Sequence, residues 1–351
     1  MAATPAFALA APAENSESCS RIDLRPSLGE PRDQRESGWC FAHVAADLLT
    51  QKIGERVSAS DLALQSALMP EKEIRSLPQD EAGRYLNDPD LQRRWRVARE
   101  PELKRFRSKM IMSTNGVLNV GGNEDFSLAL ASVKGACLER DLPDEDLNSR
   151  HGLRAVEDLR DLHDKTACAS SSRDERACGR VLRPASPSED LSPLIDRMSE
   201  GMSPQILKWA DRQCGQRRRV RSVPRILQVA DDAEHLDAAY KNGELEISEV
   251  RARMLERLNE ALEAGRVAAI GYSANDVLTR DSGDRWGDHA SVIAGRRPGA
   301  KGCEYFVRQS WGQGCDGYRR RLNKVCEPET GGMWLRLEQL PSIYSVTDLP
   351  N

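Results

Sequence analysis

Cys40 heads the run CFAHVAADLL, in which Phe41, Val44, Ala45 and Leu48 recur near helical spacing. A polar turn containing Gly38 precedes it, so the thiol is expected at the first turn of a buried helix. Free backbone N–H groups and partial positive charge at such a terminus lower a thiol's pKa and can hold an oxyanion. The other reading of a cysteine in this setting is a small buried hydrophobe. Far downstream, His289 follows Asp288 and opens the apolar run HASVIAG, a strand start. A second strand-like stretch, EYFVRQSWGQG, carries Gln309, Ser310, Trp311 and Gly312. A thiol, a base and an amide that can orient the base are the parts needed for covalent acyl transfer.

With these residues the chain resembles a papain-like cysteine peptidase, in a divergent bacterial style with large insertions. Gln34 matches that family's oxyanion-hole glutamine, Cys40 its nucleophile and His289 its base, while Gln309-Ser310-Trp311-Gly312 matches its Asn-Ser-Trp-Gly segment. Val57 to Leu64 resembles the segment after the central helix, and Gly121-Gly122 the substrate-binding glycine pair, a place where missing side chains let a substrate backbone approach. The resemblance implies an α+β, papain-like fold with a helical left subdomain, an antiparallel β-barrel-like right subdomain and helical insertions. It also implies a Cys40–His289 thiolate–imidazolium pair, an oxyanion held by Gln34 and the Cys40 N–H, and Trp311 shielding the His289–Gln309 contact. Asp288 is read as an electrostatic contributor at the substrate site, with a plain turn residue as the other reading. Expected catalytic residues are therefore Cys40, His289, Gln309 and Gln34, and expected substrate-binding residues are Gly121, Gly122, Trp311 and Asp288. Neither a metal nor a cofactor is expected. The alternative is a catalytically inactive papain-like module that binds peptides or a protein partner.

Three features depart from the family pattern. Phe41 follows the nucleophile where the family has Trp, with Trp39 before it. Ser37 and Asn119 stand where many members have a cysteine pair. Gln309 replaces Asn, which adds a methylene to the group that orients the histidine. His43, three residues after Cys40, is expected to be a packed or surface residue, with the base assigned to His289.

The 351 residues carry a net charge of -4 with both signs mixed and 39% hydrophobic residues, which gives no reason to expect nucleic-acid or membrane partners. Peptide or protein substrates are the expected partners. Few residues precede Gln34, so an inhibitory propeptide is not expected and a protein inhibitor is one candidate for control. Residues 1–18 resemble the tail of a secretory signal or an Ala/Pro-rich arm, and nothing is apolar enough to span a bilayer. Nine cysteines leave eight once Cys40 is set aside, an even number that suits disulfides and a secreted or periplasmic location.

The elements that must position the site are expected as a helical half over about 33–140, an inserted helical region over about 140–245 and a β-rich half over about 246–345. The catalytic domain as a whole is placed at 19–350. Within it, Ser58 or Ser60 should cap a short helix running to Met69, Ile247 to Ala264 is a strong amphipathic helix, and Val267 to Tyr272 is a buried strand. Cys40 and His289 are farther apart than the family's about 130–150 residues, so roughly a hundred residues are inserted, mainly in 70–109 and 140–245.

Overall fold

The computed structural model describes residues 19–34, 38–69, 71–78, 80–95, 122–144, 207–208, 210–278 and 287–350. The N-terminal arm, Ser37, Asn119, Gly121, the part of the 70–109 insertion after residue 95, and residues 145–206 of the expected inserted helical region lie outside them. The architecture is α+β.

The centre is α1, Cys40–Ile53, whose residues from Phe41 to Thr50 are all buried. It is packed on every side, by α2 (Ala59–Leu68) and α5 (Glu124–Lys134) and by the sheet. Ser58 caps α2 by accepting the Asp61 N–H at 3.1 Å, as the sequence suggests. Two short helices, α3 (Glu71–Arg75) and α4 (Glu81–Leu86), lie against α5, where Trp95 stacks on Phe126 at 4.7 Å.

All strand pairings in the eight-stranded sheet are antiparallel. The strands are β1 (Ile22–Asp23), β2 (Arg225–Gln228), β3 (Ala268–Ser273), β4 (Asp288–Gly299), β5 (Gly302–Arg308), β6 (Cys326–Glu327), β7 (Gly332–Leu335) and β8 (Ser345–Asp348). Their order is β2-β8-β3-β4-β5-β7-β6, with β1 beside β4. Side chains alternate across this sheet with a period of two. Val292, Ala294 and Phe306 join the core around α1, while Ile293, Tyr305 and Val307 join the core under α7 (Ile247–Glu263). Val250, Met254, Leu258, Ala261 and Leu262 form the buried stripe of α7. Each larger member contributes about 1.5–3 kcal/mol by leaving water. A further helix, α6 (Ala233–Lys241), and β2 lie inside the stretch expected as inserted and helical, and β2 pairs with β8.

Three disulfides join Cys19–Cys303, Cys137–Cys214 and Cys315–Cys326, and Cys40 is free. Cys168 and Cys178 lie outside the described residues. Among the described residues no helix is long and apolar enough to cross a membrane.

Candidate active site

Cys40 opens α1 with Trp39 as N-cap and is half-buried. The backbone N–H groups of Phe41 and Ala290 favour its thiolate, so the thiol sits against the residue that follows His289. Both Cys40 and His289 line one pocket, together with Gly122, Glu124, Asp125, Asp288 and Ser345. No hydrogen bond joins the sulfur to the imidazole among the described residues.

His289 is 4% exposed on β4, opposite Tyr272 of β3. Its Nε2 lies 3.0 Å from Gln309 Oε1, an acceptor, so Nε2 carries the proton and Nδ1 keeps its lone pair. Trp311 stacks over the ring at 4.0 Å with planes 15° apart. The longer amide of Gln309 is accommodated by two neighbours. Ser291 Oγ donates to Gln309 Oε1 at 2.8 Å, and Gln309 Nε2 donates to the Tyr272 hydroxyl at 3.0 Å. Neither Tyr272 nor Ser291 stood out in the sequence as a site residue. The usable signal was alternation: Ser291 is two residues from His289 on the same strand face, and both are polar in an otherwise apolar run.

Gln34 is held beside this group. Its backbone N–H donates to the Ser310 carbonyl at 2.7 Å and its Oε1 accepts from Ser310 Oγ at 2.5 Å. A bridge between Asp33 and Trp311 and the Gly312 N–H bond to the Arg32 carbonyl continue the pairing. Gly312 has a φ of +73°, and a Cβ there would stand 3.0 Å from the Asp33 carboxyl carbon. Gly122 lines the pocket, and its missing side chain also makes room for Phe41, whose ring a Cβ would meet at 2.7 Å. Asp288 stands at the pocket rim and accepts the Ala233 N–H at 3.4 Å. His43 is 1% exposed in α1, and burial pushes its pKa down to about 4, so it stays neutral.

The expected depression of the Cys40 pKa is corrected by the structure. Loss of water pushes the thiol up to about 11 against the two backbone N–H groups that favour the thiolate. Loss of water also pushes His289 down to about 3, although the bond to Gln309 favours its charged form. Both shifts favour neutral thiol and neutral imidazole in the empty cleft. The sign for reactivity follows, because raising pH toward about 11 increases the thiolate fraction. Carbamidomethylation of Cys40 by iodoacetamide should therefore accelerate about tenfold per pH unit between pH 7 and 10. A rate already on a plateau by pH 6 would show a preformed ion pair instead.

By sequence the chain matches no protein-family model and no curated protein. Solved structures similar to it include xylellain, a cysteine protease from Xylella fastidiosa, at 14% identity over 99% of this chain and 92% of that one, with a TM-score of 0.40. The Amb a 11 cysteine protease, a ragweed pollen allergen in its proform, is 12% identical over 94% of this chain and 64% of that one, with a TM-score of 0.39. Digestive procathepsin L 3 of Tenebrio molitor larval midgut is 11% identical over 94% and 69%, also with a TM-score of 0.39.

Proposed function

We propose that this chain is a papain-like cysteine peptidase that hydrolyses peptide bonds through a thioester on Cys40. The observation that carries the reading is the His289 imidazole, held at Nε2 by Gln309, covered by Trp311, and sharing its pocket with the only free thiol among the described residues. In this mechanism the Cys40 proton passes to His289 as the sulfur attacks the carbonyl, which creates the thiolate–imidazolium pair at the moment it is used. The imidazolium then protonates the leaving amine. Water, deprotonated by His289, cleaves the thioester. The Gln34 amide and the Cys40 N–H are assigned to the oxyanion, where loss of one donor costs about 3–4 kcal/mol. The three disulfides support a secreted or periplasmic setting.

A peptidyl epoxide that fills the cleft should label Cys40 stoichiometrically at pH 6.5, and His289→Ala should abolish the labelling. The raised thiol pKa and the missing sulfur–imidazole hydrogen bond favour one competing reading, a module that binds peptides without cleaving them. Binding of the peptidyl epoxide without labelling would establish that second reading.

A further inference from the structure

We infer that Asp47 is a positioning residue that holds the three candidate catalytic segments in register. The inference rests on the peptidase reading for the meaning of those segments, and on geometry for the rest. Asp47 lies on α1 about two turns beyond Cys40 and is 4% exposed. Its Oδ1 accepts Arg32 Nε at 2.7 Å and its Oδ2 accepts Arg308 Nε at 2.8 Å. Arg32 belongs to the segment that carries Gln34, and Arg308, the last residue of β5, immediately precedes Gln309. One buried carboxylate thus joins the helix of the thiol, the strand that leads into the histidine's amide partner and the segment of the oxyanion glutamine.

Each arm is anchored again at its far side. Arg32 also reaches Asp144 at 2.7 Å, Thr50 Oγ1 at 3.1 Å and the Val57 carbonyl at 2.8 Å. Arg308 reaches back to the carbonyls of Gly29 at 3.1 Å and Glu30 at 2.5 Å, so it grips the Gln34 segment directly. Glu139 closes the cluster through Arg32 at 3.4 Å and through Arg56. Arg32, Arg56 and Arg308 balance Asp47, Glu139 and Asp144, which leaves the buried group neutral.

Buried ion pairs of this kind contribute little net stability compared with well-packed apolar residues, because dehydrating the charges offsets their attraction. What they fix is geometry, since a planar guanidinium donates its N–H groups in fixed directions, here to partners on several segments at once. Segments joined in this way cannot slide by an ångström without breaking several bonds at once. Displacements of that size at reacting groups lower rates by about a hundredfold.

The same protein supplies a matched control. Asp348, fully buried on β8, binds Arg225, Arg257 and Arg266 in a comparable cluster that touches none of the three segments. Asp47→Asn and Asp348→Asn should both lose thermal stability. At a temperature where circular dichroism shows both folded, Asp47→Asn should lose about a hundredfold in kcat with KM changed less than threefold, and Asp348→Asn less than threefold in either. Arg308→Lys keeps the charge on Asp47 but not the fork to Gly29 and Glu30. It should fold and lose about tenfold in kcat, which keeps the test alive should Asp47→Asn not fold. Equal kcat losses in the Asp47 and Asp348 variants, or an unchanged kcat in Arg308→Lys, would overturn the inference. If the wild type hydrolyses no peptide, the peptidase reading fails on its own. Cys40 carbamidomethylation by iodoacetamide then decides this one: it is supported by a rate altered tenfold in Arg308→Lys alone, and overturned by equal rates.

Discussion

Cys40→Ala is expected to abolish peptide hydrolysis while leaving the fold intact. The side chain lost is one sulfur atom from a half-buried position at the start of α1, where alanine is at least as good a helix former. Its neighbours Phe41, Ala42 and Val44 keep their packing in the core around that helix. The chemistry has no substitute, because the only other cysteines among the described residues are locked in disulfides. Nucleophile and base act as a unit in covalent hydrolases, and loss of either removes on the order of 10⁶ in kcat. Cys40→Ala, His289→Ala and the double variant should thus share one residual rate, with peptide affinity retained. Progress curves on a fluorogenic peptide library and a thermal melt of each variant make the comparison. Wild-type turnover in Cys40→Ala, on any peptide the protein cleaves, would exclude the thiol as nucleophile. An inactive wild type that still binds the peptides would select the binding module.

What the sequence makes legible follows from periodicity and local chemistry. The apolar spacing after Cys40, the stripe from Val250 to Leu262 and the run from His289 each carry an element signal, and the structure has α1, α7 and β4 there. Ser58 is legible as a cap because a hydroxyl before an apolar run has few other uses. The Gln34, Cys40, His289 and Gln309 set is legible through residue types and a family resemblance; in the structure Cys40 and His289 line one pocket, Gln309 bonds the His289 ring and Gln34 bonds Ser310. The direction of the thiol pKa was not legible. A helix start favours the thiolate, but the competing cost depends on how deeply β4 covers the sulfur, and that is set by residues 250 positions away. Asp47 was hidden for a related reason. A charged residue inside a helical pattern implies a solvated face, and only the tertiary arrival of Arg32 and Arg308 makes a fully buried helix tolerate it.

Gln309→Ala is the second variant with a large expected effect. The Gln309 amide accepts from His289 Nε2 at 3.0 Å and from Ser291 Oγ at 2.8 Å, and it donates to Tyr272 at 3.0 Å. Truncation to alanine leaves the Nε2–H group buried without its acceptor and frees the ring to rotate under Trp311. A misplaced base lowers the chemical step and hardly affects ground-state binding, so kcat should fall about a hundredfold with KM nearly constant. Gln309→Asn withdraws the amide by one methylene from a Tyr272–Ser291 cradle that matches the longer side chain. It should therefore not exceed wild type. Tyr272→Phe removes the hydroxyl that fixes the amide nitrogen and should lower kcat severalfold, less than Gln309→Ala, because Ser291 still orients the oxygen. Steady-state kinetics of the three variants decide the matter. A silent Gln309→Ala would show that His289 is oriented by something else, such as the rings of Trp311 and Tyr272 that pack on it. A tenfold gain in Gln309→Asn would show that the native amide holds the imidazole poorly, and it would shift the weight toward a cleft that binds peptides better than it cuts them.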